Sequence, residues 1–472
     1  MATTTTPILS LNPATEEVLA SFDPFTSEQV GDALADADRA FRVWRERSIE
    51  ERAGPMRRLV TILRERSDRY ARLMTEEMGK PIAEARAEIE KCAFACEHFA
   101  ENAARYLADE PIVANARRSV VAFEPLGVVL AVMPWNFPFW QVVRFAAPAF
   151  MAGNGAVLKH ASNVPRSALA IEEAFSDAGF PHGLLRTVLV AGGAIEPLID
   201  DPRIRAVTLT GSSDTGSRIA ERAGRNLKKT VLELGGSDPF IVLRDADLGA
   251  AAVTAARARN QNTGQSCIAA KRFIAERGVA EDFERRFAKA VEDLVVGDPL
   301  DPKTQVGPLA RRDLLETLER QVDESVRLGA RVLTGGERIG GKGFFYRPTV
   351  LAEVTEAMPV FKEETFGPVA AVLRVRDADE AVRVANDSQY GLGASVWTRD
   401  VAFGEKLARK IESGSVFING MVASDPRLPF GGVKRSGYGR ELSAFGIREF
   451  TNVQTIWIGP AEGKPSASPP AE

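Results

Sequence analysis

Cysteine and histidine are scarce in this sequence, with only three of each in 472 residues. Cys92, Cys96 and Cys267 are too few for a disulfide framework, so a reducing, cytoplasmic setting is expected. His98, His160 and His182 do not stand with them at zinc-ligand spacing, and no metal site is expected. None of the histidines forms a recognisable pairing motif with a cysteine, which leaves a cysteine hydrolase without its base. Long apolar runs are missing too. No stretch offers roughly 18 uninterrupted apolar residues, and the opening MATTTTPILSLNPATEEVLA lacks a basic segment followed by an apolar one. Neither membrane insertion nor export is expected. Basic excess is also absent, because 60 Lys and Arg face 64 Asp and Glu for a net charge of −4. Nucleic acid and anionic membrane surfaces are therefore poor partners.

The chain does hold enough apolar residues, 45%, to build a sizeable core in two or three domains. From about Ser27 to Asp109 apolar positions recur at helical spacing, as in MRRLVTILRERSDRYARLM, which predicts a helical lead-in. Cys92 and Cys96 fall one turn apart on such a helix and read as packing residues. From Val128 short apolar runs (VVLAVM, AVLKH, TVLV, AVTLT, TVLEL) alternate with helical segments, the rhythm of a parallel sheet with helices on both faces. A second series from PFIVLRD to VFING predicts another α/β domain after the Gly235-Gly236 turn, with the active site between the two. IVANARRSVVAFEPLGV and TNVQTIWI read as outlying strands suited to subunit contacts. The final EGKPSASPPAE reads as a mobile tail.

Three residues stand out for chemistry, each with a plain structural alternative. Cys267 follows Asn262, Thr263, Gly264, Gln265 and Ser266, a polar loop that can expose a sulfur and turn backbone N–H groups toward it; an unpaired cysteine is otherwise a small buried hydrophobe. Glu233 ends an apolar strand just before two glycines, where α/β sites form, although a solvated strand-end glutamate looks the same. Asn136 sits between Pro134 and Pro138, which stiffen the loop and can hold an amide donor, or it is a turn asparagine.

The segments MPWNFPFW, LKHAS, TGSSDTG, LELGGSDP, NTGQSC, EETFGPV and PFGGVKRSGYGRE occur in the order found in the aldehyde dehydrogenase superfamily, and the chain resembles it from about residue 7 to 458. The resemblance implies an α/β fold with a Rossmann-type cofactor domain (1–106 and 124–233), an α/β catalytic domain (234–420), and oligomerisation strands (107–123 and 440–458) of a homodimer or homotetramer. The mobile tail would be 459–472. It implies Cys267 as nucleophile, Asn136 and the Cys267 N–H as oxyanion donors, and Glu233 as the base that activates the deacylating water. An ordinary thiol is only a few per cent ionised near neutrality, so some activation of Cys267 is expected. The resemblance places the adenine ribose at Lys159, the pyrophosphate at Gly211 and Ser212, and the nicotinamide ribose at Glu364. Pro134, Trp135, Leu234 and Phe366 would complete the cofactor site.

NAD-preferring relatives commonly carry a glutamate three residues after that lysine, where it repels a 2′-phosphate. Ser162 stands there in this chain, which favours NADP with NAD as the alternative, unless the serine is indifferent to both. Arg144, eight residues after Asn136, resembles the succinate-semialdehyde dehydrogenase pattern, closest to the shorter bacterial branch, and would clamp a distal carboxylate; a helix-surface arginine is the plain alternative. Longer succinate-semialdehyde enzymes place a second arginine where this chain has Gln261, and Ser424 is a compensating hydroxyl in the shorter branch. Ala269 replaces the second cysteine that gives some relatives a redox switch. Another semialdehyde or an aliphatic aldehyde is the neighbouring alternative. A CoA-acylating relative would lack Glu233, and a non-catalytic protein of this fold would lack one of Asn136, Glu233, Cys267 or Glu364.

Overall fold

The computed structural model describes residues 6–459. The expected tail lies, from residue 460 on, outside the described residues. Helices Ser27–Trp44 and Ile49–Glu65 each open on a capping box, at Thr26 with Gln29 and at Ser48 with Glu51, which satisfies the free N–H groups of the first turn. Ile49–Glu65 and Ser67–Met78 pack against Ile82–Tyr106 as a helical layer, whereas Ser27–Trp44 packs on the strands Gly155–His160 and Leu185–Thr187. Cys92 and Cys96 are fully buried there among alanine, leucine and phenylalanine, and burial pushes both thiols up. An antiparallel hairpin, Ile8–Leu11 with Val18–Phe22, precedes these helices; it carries too few alternating residues to stand out from sequence.

The first sheet has six strands in the order Gly437–Tyr438, Lys229–Glu233, Ile204–Thr210, Val128–Met133, Gly155–His160 and Leu185–Thr187. All neighbours are parallel except the Gly437–Tyr438 edge. Val128–Met133 is buried along its whole length, as a central parallel strand covered on both faces must be. The apolar run TVLV is only partly a strand. The ladder ends at Thr187, and Val188–Val190 leaves the sheet while still buried, because Leu185–Thr187 is the sheet's edge. Strand order reverses between Val128–Met133 and Ile204–Thr210, and the crevice beyond their carboxyl ends is where such sheets bind ligands.

The second sheet runs in the order Arg331–Thr334, Thr349–Ala352, Val369–Val375, Ala270–Glu276, Asp238–Val242, Gly393–Trp397 and Ser415–Ile418. Its segments leading into Asp238, Ala270 and Val369 face the crevice of the first sheet. A third sheet pairs Thr451–Ile458 with Arg118–Pro125, and the latter with Glu110–Pro111. Residues 440–450 hold no strand of this sheet; they form a loop and the short helix Ser443–Glu449, which packs against the helical layer. Among the described residues no helix is long and apolar enough to cross a membrane, and no cluster of His, Cys, Asp and Glu could hold a metal.

Candidate active site

The loop before Ala270–Glu276 is strained. Asn262 and Thr263 both adopt left-handed backbone angles, φ 55° and 56°, a conformation that costs of order 1–3 kcal/mol at a non-glycine residue. The surroundings hold it there. The Asn262 N–H donates to the Glu84 carboxylate at 2.6 Å, and its side-chain amide donates to the Asn136 carbonyl at 2.7 Å. Thr263 Oγ1 accepts from the Gly307 N–H and Gln265 Oε1 from the Ala310 N–H. Lys271 Nζ donates to the carbonyls of Ser266, Cys267 and Ala269 at 3.0, 2.9 and 3.2 Å. The polar residues expected to open this loop to solvent are instead buried and spend their hydrogen bonds fixing its shape. At Gly236 an added Cβ would come within 2.5 Å of the Cys267 carbonyl, so only glycine lets that segment pass.

Cys267 itself is half-buried. Burial pushes its thiol up to about 12, while Arg144 and Lys271 pull the other way. The expected activation is therefore not built into this state, and the thiol rests protonated. Asn136 donates one amide hydrogen to the Gln265 carbonyl at 3.0 Å, which fixes the side chain and leaves its second N–H free for an oxyanion.

Two cavities meet at Cys267, which is the one residue lining both. The larger, about 460 Å³, occupies the crevice of the first sheet. It brings together Pro134, Trp135, Gly211, Ser212, Leu234, Glu364 and Phe366, all expected at the cofactor, and adds Thr210, Gly235 and Arg311. Trp135 and Phe366 meet edge to face at 5.7 Å as an apolar wall. Glu364 accepts from the Gly236 N–H at 3.0 Å, and a Cβ on Gly235 would come 2.5 Å from its other oxygen. Helix Ser213–Arg225 opens on the cleft at Ser212, whose hydroxyl caps it at the Thr215 N–H and whose carbonyl accepts from the Gly216 N–H; helix geometry leaves the Ser213 and Asp214 N–H groups for a phosphate. Apolar walls, a helix N-terminus and a carboxylate at the level of the nucleophile fit a nicotinamide dinucleotide. Lys159 and Ser162 are not brought into this lining. Lys159 is buried near the end of the adjacent strand, with desolvation lowering its ammonium pKa, and Ser162 is exposed three residues after Lys159.

The smaller cavity, about 230 Å³, approaches Cys267 from the opposite side and gathers Arg144, Gln261 and Ser424. Arg144, expected as a free clamp, is revised: its guanidinium is paired with buried Glu441, donates to Thr210 Oγ1 at 3.2 Å and lies 4.7 Å from the Phe430 ring centre. Its charge is already compensated. Glu233 ends its strand as expected but lines neither cavity. Its carboxyl is buried against Gly431, and a Cβ there would come 2.7 Å from Oε1. Burial first, and the nearby Glu441 second, hold it well above the usual carboxylate range. Three contributors were missed from sequence: Lys271 (readable only as part of IAAKRF), Glu441, and Lys91, which sits on a helix read as packing.

The family model described as the aldehyde dehydrogenase family matches residues 1–456. A "Probable succinate-semialdehyde dehydrogenase" using NADP+ from Synechocystis is 51% identical over 96% of this chain and 99% of its own length. Succinate-semialdehyde dehydrogenase 1, also using NADP+, from Mycobacterium tuberculosis is 50% identical over 96% and 100%. The succinic semialdehyde dehydrogenase of Streptococcus pyogenes, solved with NADP+, superposes with a TM-score of 0.94 at 39% identity, covering 96% of this chain and 100% of that one. A nucleophile loop and an amide donor meeting between two cavities, on a chain matched almost end to end, identify this protein as a member of the aldehyde dehydrogenase family.

Proposed function

We propose that this protein oxidises succinate semialdehyde to succinate with NADP+ as the hydride acceptor, NAD+ being the alternative. The observation that carries the reading is the position of Cys267 where a dinucleotide-shaped cleft and a small polar pocket meet. The thiol gives its proton to solvent water and its sulfur bonds the aldehyde carbon. The resulting thiohemiacetal oxyanion takes hydrogen bonds from the free Asn136 N–H and the Cys267 N–H. NADP+, which Trp135, Ser212, Glu364 and Phe366 would hold, would supply hydride acceptance, so that Cys267 carries a thioester. Glu233 then swings from its place against Gly431 toward the site; its neighbours Leu234 and Gly235 already line the cleft. It takes a proton from the water that attacks the thioester, releasing the acid and the thiol.

Asn136→Ala removes one oxyanion donor, and kcat is expected to fall by about 100- to 1000-fold. A comparable rise in KM with kcat unchanged would remove Asn136 from the reacting atoms.

NADP+ preference is assigned to Ser162, whose hydroxyl replaces a carboxylate. Measuring kcat/KM for NADP+ and NAD+ with succinate semialdehyde and butanal tests both specificities. Ser162→Glu is expected to lower kcat/KM for NADP+ by about 100-fold, the scale of one like-charge contact, while NAD+ is affected less. Unchanged NADP+ preference in the variant would overturn the assignment. The same reading expects a homodimer or homotetramer through the third sheet, where Val453 and Trp457 are exposed at 63% and 46%.

A further inference from the structure

The substrate cavity contains a cation that the sequence pattern did not single out. Lys91 lies on the long helix Ile82–Tyr106, whose inward residues otherwise pack the core, yet its ammonium ends in the pocket beside Cys267. Lys91 Nζ donates to Ser424 Oγ at 2.7 Å and sits 4.3 Å from the Trp140 ring centre. Two other cations line this cavity: Arg144 is paired with Glu441, and Arg257 is exposed to solvent. Among the described residues no carboxylate pairs with Lys91. Two other buried lysines near the site do have one: Lys80 pairs with Glu88 and Lys271 with Glu364. Burial, reinforced by the positive charge of Arg144, pulls the Lys91 ammonium down to about 8, as for a cation whose counter-ion is missing from its surroundings.

The donors converge. An ammonium has three N–H groups and Ser424 uses one, leaving two. Because Ser424 Oγ accepts from Lys91, its own hydrogen points elsewhere and is a third donor. Trp140, Phe137 and Phe430 supply apolar walls for a short methylene chain between these donors and Cys267.

We propose that Lys91, with Ser424 as its hydrogen-bonded companion, receives the distal carboxylate of the substrate and is the residue that selects an acid semialdehyde. The inference rests on the semialdehyde reading above and assigns Arg144 a different part, pairing with Glu441 and the Thr210 hydroxyl. It also accounts for Gln261, since an arginine there would crowd a fourth cation against Lys91, Arg144 and Arg257.

The test is the ratio of kcat/KM for succinate semialdehyde to that for butanal, measured with NADP+ in wild type, Lys91→Met, Lys91→Arg and Ser424→Ala. Lys91→Met is expected to lower the ratio by about 10- to 100-fold, the loss of one charged hydrogen bond. Lys91→Arg restores most of it, and Ser424→Ala lowers it by about 3- to 10-fold. A wild-type ratio near one would refute the semialdehyde reading itself. A high wild-type ratio that persists in Lys91→Met would overturn the role of Lys91 alone. Should Lys91→Met not fold, Ser424→Ala decides, and an unchanged ratio there overturns the proposal.

Discussion

Cys267→Ser is expected to lower aldehyde oxidation by about 10,000-fold or more, the scale on which removal of a catalytic nucleophile acts. The substitution keeps the side chain's size, so the loop held by Glu84, Asn262 and Lys271 keeps its shape. What changes is the attacking atom. Burial already pushes the thiol up to about 12, and an alcohol, weaker still as an acid, has no histidine beside it to take its proton. Cofactor affinity, read by fluorescence titration of NADPH, is expected to stay within a few-fold of wild type, because Cys267 only touches the end of a cleft built by Trp135, Ser212, Glu364 and Phe366. Retention of more than about one per cent of the wild-type rate would mean that another residue carries the covalent step.

The segments that carry Asn136, Glu233 and Cys267 were legible in the sequence because their signals are local. Asn136 between two prolines and Glu233 before two glycines each sit in a segment whose turn geometry follows from its own residues, and Cys267 was marked by the polar run before it. The parallel-sheet rhythm was legible for the same reason, since a buried central strand such as Val128–Met133 must be apolar throughout. Pairings across long separations were not legible. Arg144 looked like a free clamp because Glu441, its partner, lies about 300 residues away on the edge of another motif. Lys91 looked like part of an ordinary helix because Ser424, which turns its ammonium into the pocket, is 333 residues on. The polarity of NTGQS was read as solvent exposure. Folding instead buries Asn262, Thr263 and Gln265 and uses them to hold two left-handed residues in place. Composition alone cannot separate a polar loop that meets water from one that meets itself.

Glu233→Gln separates the two halves of the reaction. Acylation does not need this carboxylate, whereas release of the acid needs a proton acceptor for the attacking water. The variant is therefore expected to form about one equivalent of NADPH per site in a rapid burst, then turn over about 100- to 10,000-fold more slowly than wild type. The pH profile gives the second readout. Burial and the neighbouring Glu441 hold the Glu233 carboxyl well above its usual range, and the base works only when ionised. Wild-type kcat, where deacylation limits it, should thus fall as pH drops through that raised pKa, higher than an exposed glutamate would give. The glutamine variant has no such proton to lose, so this acid limb should vanish from its steady state. A burst that disappears along with turnover would place Glu233 before the thioester, as the group that takes the proton from Cys267. Persistence of the same acid limb in Glu233→Gln would assign the titration to another group.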